Sequence, residues 1–77
     1  MELIDVGILK VKLGEHIRLL REEKGLSIRQ FALQAGIEHP QLINIEKGRV
    51  DLKLTTIYKI SNALDIELSK LFKFSLK

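Results

Sequence analysis

One stretch, Ser27 to Lys47 (SIRQFALQAGIEHPQLINIEK), limits what this chain can fold into more than any other. An apolar-patterned segment is followed by a glycine break at Gly36 and a second short apolar-patterned segment. Ser27-Ile28-Arg29-Gln30 has the form of a capping box, in which the hydroxyl accepts from the amide three residues on and the glutamine reaches back to the cap amide. Phe31, Ala32 and Ala35 supply the buried face of the helix that starts there. Gly36 ends it, Ile37 tucks under the turn, and Pro40 suits the first turn of the next helix, where its missing N–H costs nothing. Leu42, Ile43 and Ile45 then carry the apolar pattern on. Two helices this short need the remainder of the chain to cover their apolar faces.

The flanking segments are patterned to do so. Val6, Leu9, Leu13, Ile17 and Leu20 recur at three- and four-residue steps, which predicts a helix running to about Lys24 with Asp5 as its cap. Gly7 and Gly14 each cost about 1 kcal/mol relative to alanine inside a helix, so residues 1–10 read either as a loose arm or as an extension of that helix. Lys24-Gly25 stops it. After Lys47-Gly48-Arg49, residues 50–54 form a loop; Thr55 is the expected cap of a fourth helix through Ile57, Ile60, Ala63 and Leu64. Asp65 stands where a turn is needed, and Leu68, Leu71 and Phe72 predict a short fifth helix before a tail over 73–77. No alternation of strand type persists. The expected fold is all-α: five helices in one domain over residues 11–72.

Composition narrows the function classes. Seventy-seven residues, 45% of them hydrophobic, suffice for one small core. The chain has no cysteine, so neither disulfides nor thiolate ligands are available, as suits a reducing compartment. Its apolar runs are too short to span a membrane, and the acidic N-terminus is unlike a signal peptide, so a soluble, cytoplasmic protein is expected. The net charge is +3, and the excess is uneven: residues 1–46 hold six bases against seven acids, whereas residues 47–77 hold seven bases against three. A positive field weighted to the C-terminal half suits a polyanionic partner.

Several patterns that mimic chemistry have plainer readings. His16 and His39 have no cysteine and no paired acids at ligand spacing, so they read as surface histidines and no metal is expected. Glu15, Glu22 and Glu23 lie among Arg18, Arg21 and Lys24 as a charge-laced helix face. Lys47-Gly48-Arg49 lacks the first glycine and the hydroxyl residue of a phosphate-binding P-loop. Phe31, Phe72 and Phe74 read as core or subunit contact, not as a stacking platform for single strands. No catalytic group, cofactor site or small-molecule site is evident.

Residues 11–72 resemble the phage lambda repressor and Cro-like (XRE) family of helix-turn-helix regulators, through GEHIRLLREEKGLS, FALQAGI, LINIEKGR and LTTIYKISNALDIELSKLF. The resemblance implies a lambda-repressor-like fold in which the helix after Gly36 enters a DNA major groove. It implies that Ala32 is small because two helices cross closely there, and that Arg21 and Glu46 form a structural ion pair. By the same carry-over His39, Pro40, Gln41 and Asn44 face base edges, with the amides of Gln41 and Asn44 suited to adenine. Ile28 and Arg29 at the start of the second helix, with Lys47, Gly48 and Arg49 after the third, are the implied phosphate contacts. Three positions depart from the family pattern. Ile28 stands where a glutamine is frequent, Glu38 where a small hydroxyl residue is usual, and Ile43 where a polar residue is common.

The implied function is a sequence-specific regulator of transcription, a repressor without catalytic activity, that binds double-stranded DNA as a homodimer. The expected dimer surface is Leu68, Leu71, Phe72, Phe74 and Leu76 where these are not core, with the Met1 to Ile8 arm. The alternative is a protein-interaction module of the same fold, antitoxin-like or a coactivator scaffold, since fold alone does not set function.

Overall fold

The computed structural model describes residues 5–76, in which five α-helices and no strand occur. The first, α1 (Val6–Glu23), starts directly after Asp5, whose Oδ1 accepts the Gly7 amide at 2.8 Å. Residues 6–10 are therefore helical and not a loose arm: the cap satisfies one of the amides that a helix start leaves without a partner. Met1 to Ile4, the remainder of the expected arm, and Lys77 lie outside the described residues. The apolar stripe of α1 is buried at Leu13 and Ile17, whereas Val6 and Leu9 remain exposed and line an apolar groove shared with Val50 and Phe72.

Helix α1 ends as its sequence dictates. Gly25 takes φ +70°, and the Leu26 amide turns back to the Arg21 carbonyl at 3.2 Å. Helix α2 (Ile28–Ala35) opens with both bonds of the capping box: the Gln30 amide donates to Ser27 Oγ at 3.0 Å and the Ser27 amide to Gln30 Oε1 at 2.9 Å. Gly36 then reverses the chain and α3 (His39–Glu46) follows.

Thr55 is not the cap of α4 (Leu54–Leu64). Lys53 holds the cap position in extended conformation and its carbonyl already accepts the Ile57 amide at 3.0 Å, so Thr55 lies inside the first turn. At the other end of α4, Asp65 adopts φ 55°, and among the described residues no other non-glycine has positive φ. A left-handed residue costs about 1 to 2 kcal/mol unless it is glycine, and a carboxylate at a helix C-terminus opposes the dipole. Asp65→Gly is therefore expected to stabilise the fold by about 1 kcal/mol, read as a higher urea midpoint; a lower midpoint would mean that the aspartate carries a contact of its own.

Helix α5 (Leu68–Leu71) closes the domain against α1 and α4. The core joins Leu13 and Ile17 of α1, Phe31 and Ala32 of α2, Leu42 and Ile45 of α3, Ile60 and Leu64 of α4, and Leu71 of α5. Leu71 has no exposed surface and so cannot belong to a dimer surface, in contrast to Leu68 and Phe72, which are exposed. Phe74 is half-buried against the core, and Leu76 is also half-buried.

His16 is no simple surface histidine. Its Nε2 lies 3.0 Å from the Lys70 carbonyl and its ring 5.5 Å from that of Phe74, so it fastens α5 and the tail to α1.

Helix α1 passes close against the end of α3 at Gly14. A Cβ on Gly14 would lie 2.4 Å from the Ile45 carbonyl oxygen and 2.7 Å from that of Glu46. Gly14 therefore permits two backbones to touch, a role that its helix propensity alone does not reveal.

Candidate nucleic-acid interface

The geometry of the face formed by α2, α3 and the following loop begins with a buried ion pair. Arg21 Nε donates to Glu46 Oε2 at 2.7 Å and Nη2 to Glu46 Oε1 at 3.1 Å, a bidentate contact between side chains that are each less than a tenth exposed. Arg21 Nη1 also donates to the Leu26 carbonyl at 2.8 Å. One guanidinium thus ties α1 to the last turn of α3 and to the chain leading into α2. The hydrogen bond to Glu46 raises the Arg21 pKa above its ordinary value. The contribution of a raised group is complete below its unfolded pKa and lost only above its folded one, so the guanidinium stays charged across all neutral and acidic pH.

On that frame the start of α2 presents first-turn amides at Ile28 and Arg29, which have no acceptor within the helix, while Ser27 and Gln30 satisfy each other. Arg29 is exposed. The Ile28 side chain is partly buried against the core and shares a largely apolar pocket with Ile43, Arg18 and Lys47. Of the two isoleucines that stand in place of polar residues of the family pattern, Ile28 serves packing and Ile43 lines the pocket beside it; at Ile28 only the backbone faces outward as a donor.

The start of α3 carries the expected base-facing residues. His39 is half-buried, while Pro40 and Gln41 are exposed. The Gln41 carbonyl oxygen accepts the Glu38 amide at 3.4 Å, so its acceptor is turned toward its own helix start. Gln41 also lines a groove with Lys53, Thr55 and Lys59. Asn44, one turn further along α3, is half-exposed, and Arg49 Nη1 lies 3.5 Å from its Oδ1.

Lys47 and Arg49 are exposed at the corner after α3, but Gly48 is not available in the same way. Its amide donates to the Ile45 carbonyl at 3.0 Å, and a Cβ there would lie 2.7 Å from the Val11 Cα. Gly48 thus leaves the set of expected phosphate contacts because its donor is occupied by the helix end. Its role is to turn the chain, with φ +71°, beneath α1. The structure therefore gathers Ile28, Arg29, His39, Pro40, Gln41, Asn44, Lys47 and Arg49 around the two helices of the motif. What the sequence reading missed is the coupling of Asn44 to Arg49 and the wedge of Gly14 and Gly48; the only sequence signal for the wedge was a glycine in phase with the buried Ile17 and Arg21.

Among the described residues no helix is long and apolar enough to cross a membrane, and no cluster of three potential ligands for a metal occurs. Comparison with known proteins agrees with the geometry. A helix-turn-helix family model, HTH_3, matches residues 17–71. The control protein C.MunI of a Mycoplasma species is 37% identical over 65 residues, covering 83% of this chain and 88% of its own. The HTH-type transcriptional regulator SlrR of Bacillus subtilis is 38% identical over 61 residues, covering 78% of this chain and 40% of its own length. Among solved structures, the restriction-modification controller protein C.AhdI from Aeromonas hydrophila superposes with a TM-score of 0.79 at 39% identity, over 80% of this chain and 94% of that one. With its five helices, its capped and glycine-turned α2–α3 pair and these relatives, the chain belongs to the HTH_3 (XRE) family of helix-turn-helix regulators, whose work is DNA-binding control of transcription.

Proposed function

We propose that this protein is a sequence-specific, non-catalytic repressor that occupies double-stranded operator DNA as a homodimer in the cytoplasm. The observation that carries the reading is the joint exposure of Asn44 on α3 with Arg29, Lys47 and Arg49 around it, on a helix pair locked by the Arg21–Glu46 bridge. Asn44, with His39, Pro40 and the free amide group of Gln41, would meet base edges. Arg29, Lys47, Arg49 and the Ile28 and Arg29 amides would meet phosphates, which set affinity and orientation more than sequence.

One protomer has one reading helix. Two copies about a two-fold axis reach successive major grooves about 34 Å apart, so a near-palindromic site is expected. The proposed dimer surface is Leu68 and Phe72 with the edge of Phe74 and Leu76, extended by Val6 and Leu9, which border the same apolar groove as Phe72. Sedimentation at micromolar concentration should show a dimer that Phe72→Glu converts to monomer; a monomeric wild type contradicts this part of the reading.

Alanine variants test the DNA reading directly. Asn44→Ala should lose operator preference yet keep most non-specific affinity, whereas replacing Arg29, Lys47 and Arg49 together should weaken binding to every duplex and shallow its salt dependence by about one unit per cation. Undiminished affinity in the triple variant would transfer the face to a protein partner.

A further inference from the structure

Asn44 is joined to Arg49 twice. The Arg49 main-chain amide returns to the Asn44 carbonyl at 3.0 Å, and its guanidinium Nη1 lies 3.5 Å from Asn44 Oδ1. The first bond follows from the left-handed turn at Gly48, which folds the chain back over the last turn of α3. Gly48 is wedged against Val11, and beyond Arg49 the loop is held to α1 by Lys10 Nζ, 3.1 Å from Asp51. The Arg49 main chain is thus bonded to the end of α3, and its side chain is exposed. Between exposed groups a 3.5 Å bond is weak, but exclusion of water at an interface strengthens it.

The contact decides which way the Asn44 amide faces. A guanidinium has donors only, so it can meet the oxygen and not the NH2 group. The NH2 group is then what Asn44 offers a ligand. In the major groove adenine asks an amide for both a donor and an acceptor, whereas guanine presents two acceptors, O6 and N7. An asparagine whose oxygen already serves a cation is poorly matched to adenine. It is well matched to guanine, and the remaining N–H groups of Arg49 stand beside it.

We infer that Asn44 and Arg49 form one reading unit that selects guanine, so that Arg49 determines base preference as well as supplying charge. The inference rests on the DNA-binding reading above and reverses the adenine preference that Asn44 alone would have.

The test is parallel selection from a pool of random-sequence duplex DNA with wild type, Asn44→Ala and Arg49→Ala. The position at which Asn44→Ala relaxes preference is the one that Asn44 reads. There the wild type should favour guanine over adenine by about tenfold, within the range of a good base contact. Arg49→Ala, which frees the Asn44 oxygen, should shift that position toward adenine while bulk duplex is still retained. Adenine preference in the wild type overturns the unit, as does an unchanged guanine preference in Arg49→Ala with uniformly weaker binding, because Arg49 is then a phosphate contact alone. If the wild type enriches no sequence and retains no duplex, the DNA-binding reading itself fails, an outcome distinct from the other two.

Discussion

Gly14→Ala is expected to destabilise the domain by about 2 kcal/mol, although it replaces the poorest non-proline helix former with the best. Two effects of opposite sign compete. Propensity favours alanine by about 1 kcal/mol in a helix interior. Overpacking against a surface that cannot yield costs about 3 kcal/mol, and here the new methyl meets the backbone oxygens of Ile45 and Glu46 at 2.4 and 2.7 Å. A flexible side chain could swing away; two carbonyls in the last turn of α3 cannot without moving the helix. Sterics should win, with a urea midpoint well below wild type. Gly7→Ala is the matched control, since its Cβ would meet only the Asp5 side chain, at 3.1 Å, and its effect should run from neutral to a stabilisation of about 1 kcal/mol. Equal effects at the two glycines would mean that α1 and α3 do not touch as described.

The second large effect belongs to the buried bridge. Arg21→Ala or Glu46→Ala should each cost about 3 to 5 kcal/mol, because each leaves the surviving charge buried without its partner. Arg21→Ala also orphans the Leu26 carbonyl, which Arg21 reaches at 2.8 Å. For a domain of this size such a loss is a large share of total stability, which is commonly about 5 to 15 kcal/mol. The double replacement Arg21→Met with Glu46→Leu should recover most of it, since well-packed apolar residues in place of a buried ion pair are often neutral or better. Chemical denaturation of wild type, Arg21→Ala, Glu46→Ala and the Arg21→Ala/Glu46→Ala double supplies a double-mutant cycle. A coupling energy near zero would show that Arg21 and Glu46 act independently, contrary to the bidentate geometry.

How far the fold was legible follows from which signals are local. The Ser27–Gln30 capping box, Gly25, Gly36 and the apolar spacing of α1 to α5 act within a few residues of themselves, and the helices begin and end by them. Thr55 misled because a good capping residue two places too late is indistinguishable, in sequence, from the true start after Lys53. Gly14 misled because its reason lies on another helix: a glycine that weakens α1 locally lets α1 approach α3. The tail showed the same limit. The spacing of Leu68, Leu71 and Phe72 marks a helix but not which side faces inward, and packing placed Leu71 in the core and left its neighbours outside.

At the interface, residue types were readable and their couplings were not. Ile28 and Ile43 announced a loss of polar contacts; Ile28 packs against the core and Ile43 lines the pocket beside it. That Gln41 turns its oxygen to the Glu38 amide, or that Arg49 folds back onto Asn44, depends on turn geometry at Glu38 and Gly48 that composition does not encode. On this face the side-chain oxygens of Gln41 and Asn44 both meet donors of the chain itself.

The central claim is that this face neutralises DNA phosphates. Titration of the full chain against duplex DNA across a series of salt concentrations tests it most directly. With Arg29, Lys47 and Arg49 engaged from each of two protomers, log affinity should fall against log salt with a slope of about −5. A slope near zero, or no binding at low salt, would contradict the account.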